Sequence, residues 1–460
     1  MALRQKNWPL RSVNPSEQGK VGHYPRPRFA MRLLSARLSF SLLTLCACGT
    51  PTPQPGGKDA SADTDSDWPP DDTGADAVSP CADGSWGGLT DPDLAIHVRA
   101  DGDDAADGTA GSPVATLAQA LALTRLKGGP KAIFVGPGSW ETNLSLAADA
   151  GDGASDNGLS VLGCSAAEVN LQPADHTLPI IKVSAVEGAV IDGLTLENGR
   201  RSLWIWQGAQ VALSRLEILG SSRIGLVIDG SLSIVNAVDV NVTNTESDGG
   251  AIGYGISVHD GTLQMSGGGV FNAEQIGILV DFGHAEFDGI TVQGVSADET
   301  GLLGRGIQLQ DLSDGNISAS SVLDASDAGL FVLRPNQVVL TDMSISSTTE
   351  SAIPGISDTS GDGIVVTRGS SNVAPSTFLI SLTANDASAC ARAGYVLSGV
   401  QVQALDGNTW SGNGFTSGSI VVQDSAVIAS GADAVYDIEA EGLDALPLNN
   451  VEVSVDDLIE

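Results

Sequence analysis

Three polar side chains, Asp229, His259 and Asp281, return at one position of a repeating strand and could together do acid–base chemistry. If their strands stack as consecutive rungs about 4.8 Å apart, the two carboxylates, two rungs apart, stand roughly 9–10 Å from each other. Inverting glycosidases use two carboxyl groups about 6.5–9.5 Å apart, one protonating the leaving oxygen and the other activating a water. His259 falls between them and could hold a proton or a sugar hydroxyl. The same outer face carries Trp204 and Trp206, which could stack on sugar rings, and Gln308 and Gln310, which could hydrogen-bond to them. The plainer reading is that outward Asp, His and Gln side chains are solvated and that the Trp pair packs under a loop.

These positions depend on a repeat that must hold them in register. A Gly followed by a strand with alternate apolar residues returns as Gly225-Leu-Val-Ile-Asp229, Gly255-Ile-Ser-Val-His259, Gly277-Ile-Leu-Val-Asp281, Gly306-Ile-Gln-Leu-Gln310, Gly329-Leu-Phe-Val-Leu333 and Gly363-Ile-Val-Val-Thr367. Its first apolar residues stand at 203, 226, 256, 278, 307, 330, 364, 395 and 420, so the step runs from 22 to 34 residues. The inward pairs Leu203/Ile205, Leu226/Ile228, Ile256/Val258, Ile278/Val280, Ile307/Leu309, Leu330/Val332 and Ile364/Val366 are all aliphatic, and that fixes the register. A coil of two or three short strands cannot bury its inner face alone, whereas stacked coils share one apolar interior. The expected fold is therefore all-β, a parallel β-helix solenoid. The uneven step argues against a propeller or sandwich of regular hairpins. Extra residues of the longer steps, 244–254, 296–305 and 347–362, precede the strand and would wall its outer face.

This pattern resembles the pectin-lyase-like superfamily of right-handed parallel β-helices, over roughly residues 93–445. The opening is similar to the start of many such proteins: Ile96-His-Val-Arg99, an Asp/Gly loop through Asp107-Gly108-Thr109, apolar residues at helical spacing from Ala115 to Lys127, then Ile133-Phe-Val-Gly-Pro-Gly138. The resemblance implies a short N-terminal helix capping the coil stack, where it would shield open strand edges. It also implies a polysaccharide partner and a cleft beside the strand that follows the long loops. The catalytic signatures do not carry over. Arg334-Pro335-Asn336 does not complete the Arg-x-Pro-x-x-Arg of pectate lyases, and Gly283-His284-Ala285 is a partial echo of the Gly-His-Gly of polygalacturonases. Lyase chemistry on uronates needs a Lys or Arg base, and Lys182 is the one Lys between 180 and 430. The leading expectation is a non-catalytic protein that binds extended polysaccharide or serves as an interaction scaffold. The alternative is an inverting-type glycoside hydrolase, less readily a lyase, built on Asp229, Asp281 and His259.

Composition narrows the partners. With 56 Asp+Glu against 22 Lys+Arg, a net charge of -34 argues against nucleic acid and against anionic membrane as an electrostatic partner. Met31-Arg32, Arg37 and the apolar run Leu38 to Ala47 read as a signal peptide, too short to span a bilayer. Leu45-Cys46-Ala47-Cys48-Gly49 resembles the lipobox of bacterial lipoproteins, which implies lipidation at Cys48, a place in the cell envelope at the outer membrane or cell surface, and membrane contact through the anchor alone. The expected organisation is an upstream extension and signal at 1–47, an acidic tether at 48–80 too poor in apolar residues to fold, a lead-in and cap at 81–140, coils at 141–432 and an acidic C-terminal cap at 433–460. Outside the cytoplasm a Cys81–Cys164 bridge is one expectation; the pairing among Cys81, Cys164 and Cys390 is open, and one thiol is left over. No cofactor is expected. Asp101, Asp103, Asp104 and Asp107, or Asp358 and Asp362, could offer oxygens to calcium, although Ser112 stands where an EF-hand places its Glu.

Overall fold

The computed structural model describes residues 79–448 apart from 128–131, 152, 250–251, 299–300, 302, 351–360, 370–377, 416–419, 425, 439, 442–445 and 447. The signal segment, Cys48, the tether up to residue 78, Asp358 and residues 449–460 of the C-terminal cap lie outside the described residues.

The described chain is a right-handed parallel β-helix. Twelve strands, from Leu144–Ala147 to Tyr436–Asp437, stack in one sheet that carries the repeat seen in the sequence. A 21-strand sheet supplies the other walls as two ladders. They merge where Gln210–Leu219, Ile234–Thr245 and Thr262–Ala273 run unbroken round a corner and pair on both sides of it. The register matches the reading of the repeat: Leu203, Leu226, Ile256, Ile278, Ile307, Leu330 and Ile364 pair in turn, and every one is fully buried.

The Gly that opens each strand has a packing cause. A Cβ at Gly277 would stand 2.5 Å from the Gly306 carbonyl oxygen and 2.6 Å from a Val292 methyl, and at Gly306 it would stand 2.3 Å from a Val322 methyl. The strand thus approaches the opposite wall and the next coil too closely for any side chain. The strand's other end turns through the left-handed region, in the same place on successive coils: Gln207, Asp260, Phe282, Asp311 and Arg334 have φ of 56°, 52°, 51°, 50° and 50°. Asp tolerates that conformation, whereas Phe enters it at a cost.

The N-terminal end is capped as expected. Helix Leu117–Lys127 lays Leu117, Ala120 and Leu121 into the core against the first strands. Asp104 accepts hydrogen bonds from the Ala115 and Thr116 amides at 2.9 Å, and the Thr116 hydroxyl accepts from the Gln119 amide at 3.1 Å. These satisfy amides that a helix start leaves open. Asp101 pairs with Arg99 at 2.9 Å, Asp103 accepts from the Ala105 amide, and Asp107 accepts from the Thr109 amide. The loop carboxylates thus brace turns, and among the described residues no group of three or more His, Cys, Asp or Glu side chains is arranged to hold a metal. Cys81 and Cys164 form a disulfide that ties the lead-in to the early coils, and Cys390 is a buried free thiol. At the other end Tyr436–Asp437 adds the last rung, while Ile438, with Leu446 and Leu448, packs on Phe331, Leu333, Val365 and Val396 on the outer face of the twelve-strand sheet.

Candidate functional site

Trp206, Asp229, His259, Asp281 and Gln310 are Cα partners on five successive strands, so the sequence-derived column is real. Its exposure is not what alternation alone suggests. The long segments before Tyr254 and Arg305 bring Ile252 and Leu303 together with Val227, Tyr254, Ile276 and Leu279 into a second apolar cluster on the outer face. Phe331, Leu333 and Val365 are covered further along. The outward face is roofed over much of its length, and its polar groups must find partners within it.

Asp281 is 2% exposed. One of its oxygens stands 2.9 Å from His259 Nδ1, and the other accepts a hydrogen bond from Gln310 Nε2 at 3.0 Å. Gln310 Oε1 accepts from Gln308 Nε2 at 2.6 Å, and Gln308 Oε1 accepts from Arg305 Nη1 at 2.8 Å. Arg305, fully buried, donates through Nε to Asp327 at 2.8 Å and lies 3.6 Å from the Phe331 ring centre. Two expectations are corrected here. Gln308 and Gln310, at 0% and 1% exposure, are links of this buried chain and cannot reach a sugar. Asp281 is no free carboxylate beside a water, because both its oxygens are engaged under cover; it serves to hold an imidazole.

His259 and Asp229 remain half-buried at the surface. The hydrogen bond from Asp281, reinforced by its negative charge, raises the His259 pKa above the usual imidazole value against the opposing effect of burial. With Nδ1 turned to Asp281, Nε2 is the nitrogen available to a ligand. Asp229, one rung earlier, has no hydrogen bond to its carboxylate among the described residues; its backbone carbonyl accepts from the Ser233 hydroxyl at 2.7 Å. Burial raises its pKa above the ordinary carboxylate value, with the charge of Asp260 adding to the effect and His259 opposing it. Sequence reasoning missed two residues at the corner after these strands. Asp260 is exposed beside the pair, and Phe282, 52% exposed, sets its ring edge-on to His259 with centroids 6.3 Å apart. The signal that could have found them is position: each directly follows a column residue.

Trp204 and Trp206 are half-buried, 5.2 Å apart between centroids and inclined at 45°. They are not open stacking platforms, because Lys182 Nζ lies 4.9 Å and 4.6 Å from their ring centres. A separate groove of about 430 Å³ opens on another wall, lined by Asn236, Gln264, Glu286, Asp288, Asn316 and Ser318 among others. It contains no residue of the column. Glu286 accepts from Gln264 Nε2 at 2.5 Å and lies 3.2 Å from His284 Nε2, and Asp288 accepts from Ser318 at 2.8 Å. The groove is an amide and carboxylate lattice with its carboxylates already engaged, whereas in the column the Asp229 carboxylate has no hydrogen bond among the described residues.

No family model matches the sequence, and no curated protein matches it. Among solved structures it is similar to the Agl-KA catalytic domain, at 9% identity and a TM-score of 0.41, covering 75% of this chain and 70% of that one. It is also similar to the catalytic domain of a GH87 alpha-1,3-glucanase in complex with nigerose, at 11% identity and a TM-score of 0.30, covering 79% and 69%. For pectate lyase Pel9A the values are 11%, 0.29, 74% and 78%.

Proposed function

We propose that the protein binds an extended polysaccharide across the face holding Asp229 and His259 and hydrolyses it there. One observation carries the reading: a half-buried carboxylate with no hydrogen-bond partner among the described residues stands one rung from an imidazole pinned from behind by a buried carboxylate. Between the raised pKa of Asp229 and the raised pKa of His259, the first is ionised and the second protonated. In that window His259 Nε2 donates its proton to the leaving glycosidic oxygen. Asp229, one rung away and so roughly 5 Å from His259, stands at the spacing of retaining enzymes: its carboxylate bonds to the anomeric carbon as the glycosidic bond breaks, and water then displaces it, giving its proton to the now neutral His259. Asp281 keeps the imidazole in one orientation, as a buried acid does in triad-type sites. The test is a reducing-end assay over a polysaccharide panel with wild type, Asp229→Asn and His259→Gln. Release by wild type that falls at least about 100-fold in both variants is expected; release unchanged in either would sink the assignment.

A second reading, glycan binding without turnover, is favoured by the groove lined with Asn236, Gln264 and Asn316, amides of the type that hold sugar hydroxyls. Binding without release, lost on Gln264→Ala and kept in Asp229→Asn, would establish it instead. We also propose an envelope location on a lipid at Cys48. Support comes from the lipobox-like Leu45–Gly49 and from the Cys81–Cys164 disulfide, a bond that persists in oxidising compartments. Mass spectrometry of the mature N-terminus tests it: a diacylglyceryl Cys48 is expected, and an unmodified one overturns it.

A further inference from the structure

Arg201 opens the strand Arg201–Trp206 and is 7% exposed, yet its Nε and Nη2 are buried without a hydrogen-bond partner among the described residues. It forms no ion pair among the described residues. The indole N–H groups of Trp204 and Trp206 are likewise buried and unpartnered. These donors belong to one cluster. The Arg201 guanidinium carbon lies 5.2 Å from the Trp204 ring centre, and Lys182 Nζ lies within 4.9 Å of both indole rings. Other cations stand near. Burial, together with the charges of Arg223 and Arg200, pulls the Arg201 pKa down to about 10.

Nothing in the composition forces this arrangement, since the chain carries 56 acidic groups against 22 basic ones. Among the described residues, four other buried or half-buried arginines have a carboxylate partner: Arg305 with Asp327, Arg392 with Asp362, Arg334 with Asp311 and Arg125 with Asp156. A buried cation without a counter-charge costs several kcal/mol, so its retention points to a counter-charge that arrives from outside. The place is also telling. Trp206 is the Cα partner of Asp229, which puts the cluster one rung from the reacting pair and on the same face.

We propose that Arg201, Lys182 and the indole N–H groups of Trp204 and Trp206 form a subsite for an anionic group carried on a sugar ring, a carboxylate or a sulfate ester. The proposal rests on the reading that this face holds a glycan, and it names the class of glycan as acidic. The flat guanidinium fork suits either anion in a two-point contact, Lys182 adds a point charge, and the indoles add directed donors. The strongly negative remainder of the chain repels a densely charged polymer such as nucleic acid, while one charge per sugar unit can be met locally.

Calorimetric titration of the purified full-length protein decides it, with trigalacturonate and its methyl ester as one pair of probes and a sulfated galactan oligomer with its desulfated form as the other. In one pair the acidic member binds about tenfold tighter or better. That preference disappears in Arg201→Gln while affinity for the neutral member is unchanged, and Lys182→Gln reduces it in part. Without ligand, Arg201→Met unfolds at a temperature no lower than wild type, because the uncompensated charge is gone. Equal affinity for both members of both pairs overturns the proposal, as does a midpoint several degrees lower in Arg201→Met, which would mark a structural arginine. Inorganic sulfate stabilising wild type with no preference among the oligomers overturns the sugar-borne part. Loss of reducing-end release in Asp229→Asn bears on hydrolysis alone and the acid-to-neutral ratio on the subsite alone, so either can fail without the other.

Discussion

His259 Nδ1 lies 2.9 Å from an oxygen of Asp281 on the next rung, and the other oxygen of that carboxylate is held by Gln310 at 3.0 Å. A negative group buried in this way raises the affinity of the imidazole for a proton. It also fixes which nitrogen faces the ligand. The polar chain behind it, through Gln308 to Arg305, has the character of a support for one side chain.

The pH dependence of hydrolysis follows from the two shifted groups. In the proposed hydrolysis Asp229 must be ionised and His259 protonated, so the rate climbs as pH passes the Asp229 pKa, raised above the usual carboxylate value, and falls as pH passes the His259 pKa, raised above the usual imidazole value. Asp281→Asn removes the charge that raises the second value. Its alkaline limb therefore moves to lower pH, a change that kcat/KM profiles of the two proteins would reveal. An unmoved limb would show that His259 is not the group titrating.

Stability falls with rising pH at both residues, because both pKa values are raised. His259 binds its proton more tightly folded than unfolded, so its contribution is complete below about pH 6.5 and is lost as pH rises through the folded value. The raised Asp229 pKa means that its ionised form burdens the fold at neutral pH, and that burden vanishes below about pH 3.8. Asp229→Asn is therefore expected to raise the midpoint and the unfolding free energy at pH 7, the latter by about 0.5–2 kcal/mol as single stabilising changes do, with the gain shrinking in acid. Thermal melts at the two pH values check this; a midpoint lowered at pH 7 contradicts it.

Alternation exposed the inner column from the sequence because Leu203, Leu226, Ile256 and their successors are all aliphatic and are preceded, in most coils, by a Gly that only the close approach of two walls explains. The outer column was legible as a list of residues but not in its exposure. Whether Asp281 or Gln310 meets water depends on Ile252 and Leu303, which sit in segments with no alternating pattern. Arg201 escaped notice because its rung lacks the opening Gly and it precedes the first recognisable apolar residue. Lys182 was visible only as the lone Lys of the repeats; that its charge lies over Trp204 and Trp206 depends on a strand pairing across coils.

Arg305→Met tests the buried support. It leaves Asp327 as a buried carboxylate deprived of its 2.8 Å guanidinium contact and takes a donor from Gln308. Breaking one side of such a pair costs about 3–5 kcal/mol. Denaturant titration should show a loss of that size, and the variant's His259 resonance should titrate over a changed range; a loss under about 1 kcal/mol would mean that Asp327 is satisfied without Arg305.

Reduction of the Cys81–Cys164 bridge, which closes a loop with a sequence separation of 83, releases the lead-in and capping helix from the coils. A loop of that length corresponds to about 4.5 kcal/mol in the chain-entropy account. Reduced protein should unfold at a lower denaturant midpoint and exchange the amides of Ile96–Val98 and Leu117–Lys127 first, while strands near Asp281 keep their protection. Uniform loss of protection along the coils would show instead that the helix unfolds as one unit.

Phe282 combines a φ of 51° with 52% exposure, two features that a stabilising selection would remove together. A left-handed backbone costs a bulky L-residue roughly 1–2 kcal/mol, and Asn largely escapes that cost. An exposed ring offers little in return unless something packs on it, and its nearest ring is that of His259, 6.3 Å away between centroids. Phe282→Asn should therefore raise the unfolding free energy by about 1 kcal/mol while weakening glycan binding by about the 0.5–1.5 kcal/mol of an aromatic contact. Melting curves and calorimetric titrations of the same preparation give both numbers. If stability rises and affinity stays the same, Phe282 is no part of the ligand surface, and the binding face ends at His259.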